Sequence, residues 1–391
     1  MRLISAHYVY TNSGPPLKRP IICTKDDGTI ISIETTSGEL NERHSLEFYN
    51  GIIVPGFVNC HCHIELSWMK GKIPGGTGLG GFLTSLNSIR SNPPEDMLQP
   101  VKEADNIMAR EGVVICADIC NTSLTFGIKK KSIIKYVNLL EVYGIDSTKA
   151  AKRLEEIMQI ASIAEDEKLT WQLVPHSVYS VSMPLFRLIM EKMRSNSITS
   201  VHFLETEDEV TMLSDHSGAL MDAYKKVLSP SSEIKTVRDH PAAILEEITQ
   251  SGNLLLVHNT FISREVIKKL RQRNNIYYCL CPNSNNYIGG RIAPAGMLAE
   301  EKCNIVIGTD SLASNNGLSI ISELKRLQEN FPETALEELI RWATINGAMA
   351  LGEEKNAGSI EPGKKPGLVL IENADLINMK LLPESNARRI I

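Results

Sequence analysis

Four side chains in this sequence have the types and spacing to hold one divalent ion: His61, His63, His202 and Asp310. Residues i and i+2 of a strand point to the same side, so His61 and His63 can grip one ion together. Three imidazoles and a carboxylate suit zinc or another first-row divalent metal. Such an ion lowers the pKa of a bound water from about 15.7 toward ~7, which makes hydroxide available at neutral pH. Glu205, three residues after His202, fits a general acid/base shuttle, a role that needs a carboxylate beside the ion rather than on it. His258 is placed to orient the hydroxide or to stabilise charge developing in a tetrahedral intermediate. A four-ligand staple of Cys60, His61, Cys62 and His63 fails, because alternate residues point in opposite directions, and Cys62 leaves the ligand list. Glu207, Asp208 and Glu209 read as solvated loop charges.

The elements that must carry these residues are eight apolar, β-rich runs. They are Ile52 to Asn59, Val113 to Ile119, Tyr136 to Val142, Trp171 to Pro175, Ser200 to Leu204, Leu254 to Val257, Ile276 to Leu280 and Asn304 to Gly308. Helical stretches alternate with them: Pro100–Arg110, Ala150–Asp166, Leu185–Ser195, Ile244–Ser251 and Glu265–Arg273. Continuous apolar strands alternating with helices imply a buried parallel sheet. Eight such units imply a closed (β/α)8 TIM barrel of the α/β class. An open doubly wound sheet is the competitor, but no glycine-rich dinucleotide loop follows the first run. The polar residues stand where the apolar runs stop: His61 and His63, His176, His202 and Glu205, His258, and Asp310. In a barrel those ends meet at one mouth, where active sites are built.

The chain ends have a different flavour. Residues 1–55 read as short strands and turns, and so does the stretch from Gly358 to Ile371. We expect residues 1–55 and 357–391 to form one small β-sandwich domain, with the metal-dependent barrel over 56–356 inserted between them. The stretch from Glu205 to Ile244 is long for one barrel connection, so a lid or an extra helix is expected there.

Bulk properties narrow the function classes. The chain has 391 residues and a net charge of −5, with no basic block that suggests a nucleic-acid surface. Lys129-Lys130-Lys131, the densest basic run, reads as a solvated helix start. No apolar segment approaches the ~18 residues of a membrane span. Met1 to His7 lacks the apolar core of a signal peptide, which points to the cytoplasm. The eight Cys do not look like a disulfide framework. Cys116 with Cys120, and Cys279 with Cys281, read as strand packing rather than as metal pairs.

The ordered motifs carry a resemblance. They run Val54-Pro55-Gly56-Phe57-Val58-Asn59-Cys60-His61-Cys62-His63, Val174-Pro175-His176-Ser177-Val178-Tyr179-Ser180, His202-Phe203-Leu204-Glu205-Thr206, Val257-His258-Asn259, Cys281-Pro282-Asn283-Ser284-Asn285 and Gly308-Thr309-Asp310-Ser311-Leu312. Together they resemble the amidohydrolase superfamily, in its cytosine/adenosine-deaminase-like branch, over nearly the whole chain. The resemblance implies one catalytic metal, usually zinc and sometimes iron, with His61, His63, His202 and Asp310 as ligands. It implies Glu205 as proton shuttle, His258 against the hydroxide and the tetrahedral carbon, and Asp310 counted with them among the catalytic residues. His176 looks like the residue that meets the ribose of a nucleoside. Two-metal relatives usually carry a lysine at the end of strand four, where this chain has Val174-Pro175-His176, which favours one metal; Glu141 on strand three is the weaker candidate for a bridging ligand. The tail departs from the family wording, with Pro366-Gly367-Leu368 where an Ala-Asp-Leu run is common.

Within the branch, His61 to Ser67, His202 to Glu205 and Cys281 to Asn285 are most similar to aminodeoxyfutalosine deaminases. Those enzymes remove the 6-amino group of an adenine nucleoside with a carboxyphenyl extension, in a route to menaquinone. The resemblance therefore implies hydrolytic deamination with release of ammonia. Deamination or dechlorination of another amino-heterocycle (guanine, cytosine, a triazine) is the alternative of the same class. A silent barrel that only binds metal or ligand is the alternative of another class, and it has no need of Glu205. Glu65 stands where other members often have an apolar residue, so it either reaches substrate or caps a loop. Arg291, after Gly289-Gly290, either meets a substrate carboxylate or is a solvated loop residue. The partners implied are a small-molecule substrate and, because relatives often dimerise, a second copy of the chain.

Overall fold

The computed structural model describes residues 1–391 except 40–42, 229–230, 235–244, 246–247 and 249–251. Eight parallel strands build the centre: β1 (Phe57–Cys62), β2 (Val113–Cys120), β3 (Lys135–Val142), β4 (Trp171–Pro175), β5 (Ile198–Phe203), β6 (Asn253–His258), β7 (Ile276–Leu280) and β8 (Asn304–Ile307). β1 to β4 pair in chain order as one four-stranded sheet, and β5 to β8 as another. Parallel bridges join the two sheets at both seams, Ser177 with His202 and Cys62 with Asp310. The circuit closes as a TIM barrel. Every residue of β1, β5 and β7 is buried, which is why these segments read as unbroken apolar runs.

Strands from both chain ends form a separate, seven-stranded sheet. Its order places Asn386–Arg389 beside Leu368–Glu372, then Leu46–Pro55, Arg2–Val9, Ile21–Thr24 and Ile30–Glu34, with Leu17–Lys18 on the side of Arg2–Val9. Leu368 opposes Pro55 and Ile371 opposes Ile52, so the C-terminal strand lies directly on the approach to the barrel. Ile4, Ala6, Ile22, Ile53 and Leu370 are its apolar core.

The apolar run Ile52 to Asn59 is therefore two strands, not one. It divides at Gly56, whose N–H donates to Pro366 O at 3.1 Å. A Cβ at this position would sit 2.4 Å from Val114 Cγ1 and 2.6 Å from Pro366 O, so only glycine allows the close approach. The Pro55-Gly56 dipeptide is the sequence sign of the break, within side chains that are apolar on both sides.

Helices Leu98–Arg110, Ala150–Asp166, Met183–Lys192 and Arg264–Leu270 stand near the expected stretches. The helix expected over Ile244–Ser251 lies mostly outside the described residues. After β5 the chain carries two helices, Glu207–Asp215 and Ala219–Val227. All eight cysteines are free thiols. No described helix is long and apolar enough to cross a membrane.

Lys129 is not a solvated helix start. Its ammonium is fully buried, 2.5 Å from Asp118 Oδ2 and 3.0 Å from both Cys120 Sγ and Asn138 Oδ1. The other oxygen of Asp118 accepts Ile64 N at 2.7 Å, just after His63. A buried lysine must be paired, and a charge inside the apolar run Ala117-Asp118-Ile119 was the visible sign of its partner.

Candidate active site

The strand ends deliver the reactive residues on strained backbone. Leu204 after β5, His258 at the end of β6, Asn259, and Asp310 after β8 all take left-handed φ, at 50°, 78°, 57° and 57°. Non-glycine residues in that region cost energy and cluster where side chains must be aimed. His61 O accepts both Thr309 N (2.9 Å) and Asp310 N (3.0 Å), which clamps the turn carrying Asp310 to β1.

His61 Nε2 and His63 Nε2 lie 3.2 Å apart, with Asp310 Oδ1 at 3.7 Å and 3.5 Å from them. Asp310 Oδ2 accepts Ser284 Oγ at 2.5 Å and Ser314 Oγ at 2.8 Å, which leaves Oδ1 to face the imidazoles. His202 donates from Nδ1 to His176 O at 2.7 Å, so its Nε2 keeps a lone pair. The His202 ring stands 4.9 Å from that of His61. Burial pushes the pKa of His63 and His202 well below the usual imidazole value. Burial alone would raise the pKa of Asp310, but His61 and the neighbouring imidazoles hold it well down. His61, His63 and Asp310 bring one ligand atom each within 4.8 Å of one another, and His61, His202 and His258 do the same. Such a set fits a divalent cation and fits little else.

Glu205 and His258 stand beside this set. His258 Nε2 is 3.6 Å from Glu205 Oε1. Asn285 Nδ2 donates to His258 Nδ1 at 3.0 Å, so the imidazole carries its proton on Nε2, and burial lowers its pKa to about 3. Burial, together with Asp310 and Glu209, pushes the Glu205 carboxyl well above the carboxylate range. Burial thus favours the protonated form of Glu205, and His258 offers an N–H donor.

Glu209 is buried, not a solvated loop charge. Its Oε1 accepts Leu204 N at 2.9 Å and its Oε2 accepts Glu205 N at 2.8 Å. Thr206 Oγ accepts Glu209 N at 3.3 Å and caps the helix Glu207–Asp215. Thr206 and Glu209 have capping-box spacing, a pattern open to sequence reading. Glu323, on helix Ile320–Asn330, joins two mouth loops in the same way, accepting Asn283 N at 2.9 Å and Asn315 Nδ2 at 2.8 Å.

A cavity of about 980 Å³, counting its open mouth, reaches His63, His202, Glu205, His258 and Asp310. His176 lines it as well, stacked on His202 at 4.5 Å and bonded through Nδ1 to Ser180 Oγ at 2.7 Å. Leu79, Phe82, Leu83, Leu86 and Ile288 supply an apolar wall.

Glu65 and Arg291, each read as a substrate contact or a loop residue, are not among the side chains that line this cavity. Glu65 is buried outside the cavity lining, where its Oε2 accepts Asn121 N (3.2 Å), Thr122 N (3.2 Å) and Thr122 Oγ (3.1 Å). It caps the loop after β2. Arg291 is exposed, its guanidinium 4.5 Å over the Phe261 ring in a side recess that shares Glu205 with the main cavity. The cavity's own guanidinium is Arg90, at the end of helix Gly78–Arg90. Helix position alone does not tell which arginine turns inward.

Several known proteins are similar to this chain. A family model described as the amidohydrolase family matches residues 52–386. An adenosine deaminase of Helicobacter pylori is 28% identical over 330 residues, covering 82% of this chain and 79% of its own length. An aminodeoxyfutalosine deaminase of Nitratiruptor is 28% identical over 340 residues, covering 83% and 79%. The crystal structure of Helicobacter pylori aminofutalosine deaminase in complex with methylthio-coformycin superposes with a TM-score of 0.83, at 23% identity and full coverage of both chains.

Proposed function

The chain belongs to the amidohydrolase family, and from that premise we propose that it is a metal-dependent deaminase of adenine nucleosides. The observation that carries the reading is the convergence of His61, His63, His202 and Asp310, with Glu205 and His258 beside them at the foot of one cavity. In this proposal those four hold the ion, which supplies the Lewis acidity that makes water nucleophilic at neutral pH. The donor set of imidazole nitrogens and one carboxylate favours zinc, with iron as the alternative. The same reading divides the chain into a composite β-domain (1–55 with 357–391) and the barrel (56–356), places it in the cytoplasm, and allows a homodimer.

The chemistry follows from what the residues hold. A water oxygen bonds to C6 of the purine, one water proton leaves with the amine as ammonia, and the other ends on the neighbouring ring nitrogen. Glu205 carries these protons, because its buried carboxyl is easily protonated and its Oε1 faces the site. His258 Nε2–H donates to the oxygen added at C6 and stabilises the charge that gathers there. Asn285 keeps that hydrogen on Nε2. His176 faces the sugar. The apolar wall of Leu79, Phe82 and Leu86 takes the ring system and excludes water.

Ammonia release by the metal-loaded protein, measured on adenosine, 5′-substituted adenosines, guanine, cytosine and a chlorinated triazine, tests the reading. Turnover of adenine nucleosides above the rest is expected. Turnover of guanine, cytosine or the triazine alone replaces the substrate, and no turnover on any of them overturns the reading.

A further inference from the structure

One wall of the cavity holds a carboxylate oxygen with nothing to accept. Glu141, near the end of β3, is 4% exposed and lines the cavity. Its Oε2 accepts Asn121 Nδ2 at 3.0 Å, while its Oε1 is buried and takes no hydrogen bond. The nearest imidazole donor, His202 Nδ1, is 3.6 Å away and already committed to His176 O. Glu141 Oε1 has no protein donor and is therefore available to a hydroxyl that enters the cavity.

The same wall holds the complementary group. Arg90 Nη2 donates to Asn121 Oδ1 at 3.1 Å, so Asn121 links Arg90 to Glu141. Among the described residues, the hydrogen bonds of Arg90 run through Nη2 alone, to Asn121 and, at 3.4 Å, to Glu65. The wall thus offers an open acceptor and open donors, set rigidly by one asparagine. A vicinal pair of hydroxyls is the neutral group that both donates and accepts at adjacent atoms. A carboxylate ligand would meet Glu141, and a cation would meet Arg90. His176, whose own ligand atom lies within 4.8 Å of that of Glu141, is on the adjoining strand end.

We propose that Arg90, Asn121 and Glu141 form the subsite for the sugar hydroxyls of the substrate, with Glu141 Oε1 accepting from one hydroxyl and Arg90 donating to its neighbour. The proposal rests on the adenine-nucleoside reading and names the part of the nucleoside that this wall selects. A second metal site at Glu141 is the competing use. It is disfavoured because His202 Nδ1 donates to His176 O and its Nε2 belongs to the proposed first set, which leaves only His176 Nε2 beside Glu141.

The test compares adenosine with 2′-deoxyadenosine and 3′-deoxyadenosine in the holoenzyme, by kcat/KM, and inosine with 2′,3′-dideoxyinosine in the metal-free protein, by calorimetric binding. Native protein should prefer the hydroxylated member of each set about tenfold or more, the scale of one net hydrogen bond. Glu141→Gln should lose about tenfold on adenosine and little on whichever deoxy analogue lacks the bonded hydroxyl, with one ion still bound per chain. Arg90→Met, at a partly exposed position, carries the same comparison should the buried variant fail to fold. Adenosine turnover without hydroxyl preference, equal losses on all three substrates, or two ions per chain overturns this inference alone. A protein that neither deaminates nor binds nucleosides overturns the underlying reading and this inference with it.

Discussion

The carboxylate of Glu209 accepts the backbone N–H of Glu205 at 2.8 Å, so one buried glutamate aims another. Its second oxygen takes Leu204 N, the N–H of a residue held at a left-handed φ of 50°. Both hydrogen bonds brace the turn that lifts Glu205 into the cavity. Glu209→Ala should therefore cut kcat about tenfold or more with metal content unchanged, and Glu209→Gln, which keeps one acceptor, should fall between. Steady-state kinetics with elemental analysis decide, and unchanged kcat would remove Glu209 from the positioning of Glu205.

Glu205→Gln should keep its ion and lose at least ~10²-fold in rate, the scale for removing a proton shuttle. The decisive measurement is kcat on adenosine with the metal quantified in the same sample. Normal turnover by the glutamine variant would end the proton-carrier assignment.

His63→Ala should lose bound metal, because His63 Nε2 stands 3.2 Å from its partner nitrogen on His61 and 3.5 Å from Asp310. Full occupancy by elemental analysis would refute its ligand role.

The buried pair of Lys129 and Asp118 supports the turn at Ile64. Lys129→Met strands a buried carboxylate and should cost about 3–5 kcal/mol. Adding Asp118→Asn should recover much of that loss, since the unpaired charge is then gone. Denaturant unfolding of the single and double variants measures both steps, and equal losses would show that the charge is not the cause.

Glu323 gives a pH dependence. Burial pushes its carboxyl up to about 7, above the ordinary value of 4.5. Between those values the folded chain binds the proton and the unfolded chain releases it, so stability falls as pH rises from 4.5 toward 7. Glu323→Gln loses one acceptor at every pH but has no proton to release. Its Tm relative to the native protein should climb across that window and stay level on either side. A difference that is flat with pH would place the Glu323 carboxyl near its ordinary value.

Much of this molecule was legible because strand ends in a parallel barrel are polar interruptions of apolar runs. His61, His63, His176, His202, His258 and Asp310 each stop such a run, and the folded chain gathers them at one mouth. What escaped was direction. Glu209 and Lys129 look like surface charges in a charged neighbourhood, yet each turns inward to satisfy groups that only the folded chain creates. Glu65 turns to the loop after β2, and Arg291 lies over Phe261 in a recess beside the main cavity. The break at Gly56 is marked only by the Pro55-Gly56 dipeptide inside an otherwise continuous apolar run that serves two sheets.

The two bridged seams have a consequence beyond catalysis. His61 and His63 come from the sheet of β1 to β4, and His202 and Asp310 come from or follow the sheet of β5 to β8. Neither half owns more than two of the four. On the proposed ligand set, affinity for the ion depends on how firmly the two seams stay closed, and the ion acts as a latch across them. Stripping it with a chelator should speed amide exchange first at Ser177, His202, Cys62 and Asp310, where one half meets the other.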